Sequence, residues 1–307
     1  MPDNLQGITL AEAKEALKRS GYLLESRVEK ALSDEGYYVE ANSAYPDPET
    51  GKSRELDVYA MAATKAGRDE YDYVFAVLLI ECVNNPEPIA FITKEPLVGF
   101  LHHQEVKLSG LSVKIPAKKP RGSWEALPDF LGMDKYHHYC KGRVATQFCS
   151  FSRKKKDQEW MASHNPEQFD SFRKLSAAVE YFIDHHYKSW QFGTDEWLNV
   201  EFYYPVLLLQ GLLLDARPSK RSLRVMRANH IQYRRSALIG REQVEYQVDV
   251  VTEDFFPQYL KIVQTEISKT TRLLRRRNLI VRKAIEKIAR SARPLRSPEK
   301  IRAAMEM

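Results

Sequence analysis

The most apolar stretch in the first half of the chain runs from Tyr73 to Val83. Its apolar residues occupy both odd and even positions, which is typical of a central strand covered on both faces. Glu81 lies near the end of this stretch. An ionised carboxylate buried there without a partner costs on the order of several kcal/mol. Glu81 therefore predicts a bound cation, an Arg or Lys partner, or a raised pKa.

Similar patterns elsewhere predict helices that alternate with strands. Thr9 and Glu12 form a capping box that starts a helix over about 10–19, and a second helix reaches about Glu35 before Gly36. Further strands are expected over 37–45, around Asp57, and over 89–93, 200–209, 212–216 and 246–251. Further helices are expected over 135–150 and 166–188 and from 254 onward. The 217–240 segment is expected to contain a hairpin. This order predicts an α/β fold, a mixed sheet flanked by helices.

The same patterns suggest three parts. We expect an N-terminal helix over 1–20, an α/β domain over 21–268 with an insertion at 95–165, and a basic helical tail over 269–307. No apolar run reaches the roughly 18 residues that cross a bilayer, and the N-terminus has no export pattern. The 3 cysteines have no paired spacing. A reduced, cytoplasmic protein without membrane association is the expectation.

The net charge of +6 is concentrated in the tail. The segment from Lys269 to Arg302 contains 13 Lys and Arg residues but only two acidic residues, Glu286 and Glu299. Its net charge is therefore +11, and that of the rest of the chain is about −5. Such asymmetry predicts an anionic partner, and nucleic acid is the commonest, with DNA favoured over RNA. The candidate phosphate contacts are Arg275, Arg276, Arg277, Arg282 and Lys283. A solvated helix surface, a homodimer and a protein partner remain alternatives.

Glu81 has two candidate acidic neighbours. Asp57 lies in the strand-like segment Arg54–Ala60, and Glu25 lies on the second predicted helix. Three converging acids repel one another without a cation, and a hard metal such as Mg²⁺ or Mn²⁺ suits them. In the alternatives, Glu81 pairs with Arg54 or Arg27, Asp57 faces solvent and Glu25 is ordinary helix surface.

Other chemical candidates carry weaker signals. Asp249 lies between valines on a predicted strand and is interpreted as mainly structural, although a second acidic site there is conceivable. Histidines occur as the doublets His102-His103, His137-His138 and His185-His186. Neighbouring residues on a helix diverge by about 100°, so doublets chelate metals poorly and are expected as surface or core histidines.

The acidic motifs resemble those of the PD-(D/E)XK nuclease superfamily. The resemblance rests on Gly21–Val28, Arg54–Val58 and Ile80–Asn85, and is strongest to uncharacterised bacterial members with an Ile-Glu-Cys-Lys-Asn strand. It implies a restriction-endonuclease-like core of helix, three strands, helix and strand, here 21–92, the 166–188 helix and the 200–209 strand, roughly half the chain. It also implies metal-dependent phosphodiester hydrolysis, with Asp57 and Glu81 as metal ligands and Glu25 assisting through metal-bound water.

Val83 departs from the family pattern, which places a lysine there. Valine can neither donate a hydrogen bond nor titrate, and losing such a group commonly costs about 10²–10⁴-fold in rate. We therefore expect nucleic-acid binding with weak or lost hydrolysis, unless Lys52, Lys94 or Asn84 restores the function. The alternative is a non-catalytic nucleic-acid-binding or protein-assembly module on the same scaffold.

Overall fold

The computed structural model describes most of the chain. The described residues are 4–5, 7–20, 22–48, 50–67, 70–96, 106–110, 114–116, 123–154, 159–163, 166–189, 198–239 and 242–292. The helices are α1 (Leu10–Arg19), α2 (Tyr22–Asp34), α3 (Leu127–Leu131), α4 (Pro166–Ser189), α5 (Phe256–Arg276) and α6 (Asn278–Ala292). The strands are β1 (Asn4–Leu5), β2 (Ile8–Thr9), β3 (Tyr38–Pro46), β4 (Ser53–Lys65), β5 (Tyr73–Val83), β6 (Ile89–Lys94), β7 (Lys107–Gly110), β8 (Lys114–Pro116), β9 (Trp124–Ala126), β10 (Val144–Arg153), β11 (Trp160–Ser163), β12 (Asn199–Leu209), β13 (Leu213–Pro218), β14 (Leu223–Ala228), β15 (His230–Ile239) and β16 (Glu242–Thr252).

One large mixed sheet organises the fold, which confirms the predicted α/β class. Its strands follow the order β14-β13-β6-β10-β15-β16-β12-β5-β4-β3, with β11 beside β10 and β7 beside β12. Strand β5 pairs in parallel with β12 along its whole length, from Tyr73 opposite Asn199 to Val83 opposite Leu209. It is antiparallel to β4 on its other side. The apolar run is thus an interior strand, because β4 and β12 flank it.

The two faces of the sheet carry different helices. Val206 pairs with both Ile80 and Asp249, so the side chains of these three residues share one face. Glu81 follows Ile80 and projects from the opposite face. Helix α4 reaches Glu81 through Lys174, whereas α5 reaches Asp249 through Tyr259. Helices α4 and α5 therefore cover opposite sides.

Two of the predicted elements are wrong. Within 135–150, expected as a helix, short 3₁₀ turns precede strand β10. Gly142 adopts φ +83°, which ends any helix there, and Val144, Phe148 and Phe151 then supply the β-branched and aromatic residues that strands favour. The 217–240 segment was expected as one hairpin, but β14 pairs with β13 and β15 pairs with β16.

The last helices are fastened to the sheet, and the expected boundary at 269 falls inside α5. Arg282 of α6 donates to Asp72 Oδ2 at 2.6 Å, and Asp72 Oδ1 accepts from the Leu198 backbone N–H at 3.0 Å. Asp72 is fully buried just before β5. One carboxylate thereby joins the starts of β5 and β12 to α6. None of the described helices combines the length and apolarity that a bilayer-spanning segment needs.

We predict that Asp72→Ala lowers the free energy of unfolding by about 3 kcal/mol, because it removes the acceptor of the buried Leu198 N–H and the ion pair with Arg282. Denaturant unfolding measures this change. The matched control is Asp34→Ala, which breaks the exposed pair with Lys30 and is expected to cost under about 0.5 kcal/mol. Equal losses in the two variants would contradict the fastening role of Asp72.

Candidate active site

Asp57 and Glu81 lie side by side at the edge of the β4–β5 pairing. The ladder between these strands begins at Val58 opposite Ile80. Asp57 and Glu81 are one step beyond this pair, and both project from the face that α4 covers. The Cys82 backbone N–H donates to Asp57 Oδ2 at 2.7 Å, which fixes the Asp57 carboxylate against the end of β5. The two acids are therefore brought together, as the sequence predicts.

A lysine from α4 completes the arrangement. Lys174 Nζ donates to Glu81 Oε2 at 3.0 Å. The Tyr45 hydroxyl of β3 donates to the backbone carbonyl of Lys174 at 2.8 Å and holds this part of α4 over the sheet. The Lys174 side chain is 29% exposed and that of Glu81 is 3% exposed, so the ammonium lies between solvent and the buried acid.

Burial and mutual repulsion dominate the electrostatics of the acids. Burial, and next the nearby Asp57 carboxylate, raise the pKa of Glu81 to about 8, although Lys174 opposes the shift. Burial likewise raises the pKa of Asp57, more than the Cys82 N–H and Lys174 lower it. Burial and the charge of Asp57 raise the pKa of Glu25. If all three acids were ionised, they would carry more negative charge than Lys174 neutralises.

Glu81 has spare capacity to bind a cation. Its buried Oε1 atom accepts no hydrogen bond of normal geometry from the residues that the structure describes, although the Asp57 N–H lies near the carboxylate. A buried, unpaired carboxylate oxygen beside two further acids suits a hard divalent ion, which prefers oxygen ligands. Glu81 and the neighbouring Asp57 and Glu25 are therefore candidates for binding a cation through oxygen.

The arginine partners considered for Glu81 are wrong. Arg27 forms an ion pair with Glu253, and Arg54 forms one with buried Asp47. Since both guanidinium groups are engaged elsewhere, the cationic partner of Glu81 is the ammonium of Lys174.

Lys174 is not among the residues that the sequence suggests as replacements for the motif lysine, which are Lys52, Lys94 and Asn84. Lys52 and Lys94 are exposed at strand ends. Lys174 lies 93 residues beyond Glu81 and has no motif around it. Its one signal is position, because it precedes buried Ala178 by four residues and so flanks the apolar face of α4.

Three of the predicted phosphate contacts bind within the chain. Arg275 donates to the Lys65 carbonyl, Arg277 donates to the Phe130 carbonyl and stacks on its ring, and Arg282 binds Asp72. Arg276 and Lys283 are exposed. The described part of the basic tail is thus partly a set of structural contacts, and Arg276 and Lys283 are among its exposed basic residues.

Acidic and histidine groups that could hold a metal ion also occur on the opposite face. Two sets have ligand atoms that all lie within 4.8 Å of one another, namely His137, His138 and Glu266, and His138, His230 and Asp249. Burial opposes protonation of His138, but the carboxylates of Asp249 and Glu266 outweigh it and raise the pKa of His138 to about 10. The residues of the second set come from a 3₁₀ turn, β15 and β16. Because they lie far apart in the sequence, their spacing does not predict the cluster.

Comparison of the chain with protein-family models, curated proteins and solved structures found no match. The functional assignment therefore depends on the geometry and chemistry of the described residues.

We predict that Glu81 makes the metal-free protein less stable as the pH rises. Its pKa is about 8 in the folded chain against an ordinary 4.5, so the folded chain binds more protons between these values. The stability contributed by protonated Glu81 is complete below about pH 4.5 and is lost through about pH 8. Glu81→Gln removes this loss.

The melting temperature of Glu81→Gln relative to the unsubstituted protein should accordingly increase from about pH 5 to about pH 8 in the presence of a chelator. The matched control is Glu55→Gln, which alters an exposed acid of the same region. A difference for Glu81→Gln that does not change with pH would exclude a raised pKa at Glu81.

Proposed function

We propose that this protein is a metal-dependent phosphodiesterase that acts on DNA, with a PD-(D/E)XK-like site in which Lys174 replaces the lysine absent at Val83. The observation that carries the proposal is the 3.0 Å contact between Lys174 Nζ and Glu81 Oε2. It supplies an ammonium beside the acids, which is the group whose absence from the motif predicts weak or lost hydrolysis.

The element order supports a restriction-endonuclease-like core. Helix α2, strands β3 to β5, helix α4 and strand β12 follow one another in the order that the resemblance implies. The four strands are also neighbours in the sheet, in the order β12-β5-β4-β3. The intervening chain adds strands to the far side of the sheet and leaves this group contiguous.

Each polar group has a distinct task in the proposed reaction. Asp57 and Glu81 hold the Mg²⁺ or Mn²⁺ ion, which when bound polarises the scissile phosphate and acidifies water. Glu25 is half-buried, and its raised pKa suits it to accept a proton from the attacking water. Lys174 can donate a hydrogen bond to a phosphate oxygen or to that water while its charge offsets the phosphate.

The Lys174 ammonium can act although it comes from α4 and not from β5. Its chemistry depends on where the charged group lies relative to the acids, and not on which element carries the lysine. Burial opposes the charge of Lys174, but Glu81 and Asp57 outweigh it and raise its pKa. Lys174 therefore stays cationic at neutral pH. It acts as an electrostatic and hydrogen-bonding group, and Glu25 is the proton acceptor.

The DNA backbone requires cationic contacts outside the site. Besides Arg276 and Lys283, the β13–β14 hairpin exposes a second basic set at its tip and along the sheet edge, namely Lys220, Arg221, Arg224 and Arg227. Lys and Arg contacts of this kind bind phosphates without reading sequence and weaken as salt increases. This surface favours salt-dependent, sequence-tolerant binding.

We predict that the protein nicks or cleaves plasmid DNA with Mg²⁺ or Mn²⁺, and that Lys174→Met lowers the rate by about 10²–10⁴-fold. Asp57→Asn and Glu81→Gln should each abolish metal-dependent cleavage. The measurement is the initial rate of plasmid conversion under single-turnover conditions, with circular dichroism verifying that each variant folds.

Two further variants sharpen this test. Lys94→Met removes an exposed lysine and should leave the rate unchanged. Val83→Lys returns an ammonium to the face of β5 that carries Glu81, so it should partly restore cleavage in the Lys174→Met background. Full activity in Lys174→Met would refute the role of this lysine. Binding of DNA without cleavage by the unsubstituted protein would identify the non-catalytic module instead.

A further inference from the structure

We propose that His138, His230 and Asp249 form a transition-metal site, suited to Zn²⁺, on the face of the sheet opposite Glu81. The site is separate from the acids of the proposed nuclease centre and does not depend on that function. It joins a 3₁₀ turn at His138–Cys140 to strands β15 and β16.

The backbone places the three side chains on one surface. Gln232 of β15 pairs with Asp249 of β16, and His230 lies two residues before Gln232, so His230 and Asp249 project from the same face. The His138 turn lies over this face and is held there by Gln232, whose Nε2 donates to the His138 carbonyl. The convergence therefore follows from strand register and from a side-chain clamp on the turn.

The ligand atoms have the spacing that a small ion needs. Both imidazoles contact the same oxygen, because His138 Nε2 lies 3.1 Å and His230 Nε2 lies 2.7 Å from Asp249 Oδ1. Two ligands of a tetrahedral zinc ion, each at about 2.0–2.1 Å, lie about 3.3 Å apart. An opening of a few tenths of an ångström at each contact, with release of the protons that the two Nε2 atoms carry toward Asp249, would convert these hydrogen bonds into coordination. The set of two imidazoles and one carboxylate suits Zn²⁺ and related ions.

An outer shell already orients the ligands. Glu266 Oε2 lies 2.9 Å from His138 Nδ1, so the carboxylate accepts the proton of that nitrogen and leaves Nε2 to face Asp249 and His230. The Tyr259 hydroxyl donates to Asp249 Oδ2 at 2.7 Å. A carboxylate on the distal nitrogen of a histidine is the usual support of a metal-binding imidazole. Both supporting residues come from α5, so the helix and the sheet build the site jointly.

The alternative set of His137, His138 and Glu266 does not suit a metal. His137 Nδ1 accepts a hydrogen bond from the Tyr139 backbone N–H at 3.2 Å, so neutral His137 carries its proton on Nε2. That nitrogen is the one that faces Glu266, at 3.5 Å. Coordination through this nitrogen would require the loss of its proton and a shorter distance to Glu266. The set that includes His230 has the closer contacts, and it joins His138 to a histidine from a different element.

The site has one accessible side. The side chain of His230 is 17% exposed, that of His138 is 10% exposed and that of Asp249 is fully buried. An ion can therefore enter past His230, and water can complete a coordination sphere of three protein ligands.

The test is titration of the chelator-treated full chain with Co²⁺, followed by visible absorption, and with Zn²⁺, followed by calorimetry. In each titration we expect one ion, Co²⁺ or Zn²⁺, to bind per chain at this site. Zn²⁺ should also raise the melting temperature. His230→Ala should weaken binding at least about 100-fold and abolish the melting shift, and Glu266→Gln should weaken it about 10–100-fold.

Controls separate this site from the acidic one. His185→Ala removes an exposed histidine of α4 and should bind Co²⁺ normally. Asp57→Asn should also retain Co²⁺ binding, whatever its effect on DNA cleavage. Undiminished binding in His230→Ala, or no Co²⁺ and Zn²⁺ binding by the unsubstituted chain, would overturn the proposal and identify the cluster as a buried hydrogen-bond network.

Discussion

The buried carboxylate of Glu81 imposes the constraint on which the candidate site depends. Glu81 is 2% exposed near the end of an interior strand, where a lone charge is costly. Lys174 neutralises one oxygen and leaves the other without a normal hydrogen bond. Because Asp57 shares the same face, ionisation of both acids is unfavourable without a second cation, and the pKa of Glu81 is raised to about 8. In the proposed function, a divalent ion bound between the two acids would remove this cost.

The register of the sheet determines where each site forms. Full parallel pairing of β5 with β12 places Glu81 on the α4 face, and the pairing of β12 with β16 places Asp249 on the α5 face. A slip of one residue in either pairing would exchange these faces. The two candidate sites are therefore products of one sheet, with a hard-metal set on one side and an imidazole-containing set on the other.

Much of this organisation could be predicted from local patterns. The uninterrupted apolar run identified β5, the capping box identified α1, and the carboxylate at the end of β5 pointed to Asp57 as its neighbour. Periodicity reports which side of an element is buried, but not what that side contacts. Lys174, which flanks the buried face of α4, therefore carried no visible link to Glu81. The turn chemistry around Gly142 was also missed, so β10 was assigned to a helix.

The cluster around His138 could not be predicted for a related reason. His230 and Asp249 are brought together by antiparallel pairing, and His138 reaches them from a turn held by Gln232. None of these residues lies at a metal-ligand spacing in the sequence. The expectation that the doublet His137-His138 chelates poorly considers only the two neighbouring histidines, so it leaves out the partners that His138 has on other elements.

The central claim is that Asp57 and Glu81 share one divalent cation beside the Lys174 ammonium. Anomalous diffraction from crystals soaked in Mn²⁺ tests it most directly. The account predicts a single strong peak at this position, within about 2.0–2.3 Å of an oxygen from each carboxylate, with the Lys174 ammonium adjacent. No peak between these two side chains at saturating Mn²⁺, with the Lys174–Glu81 ion pair intact, would contradict it.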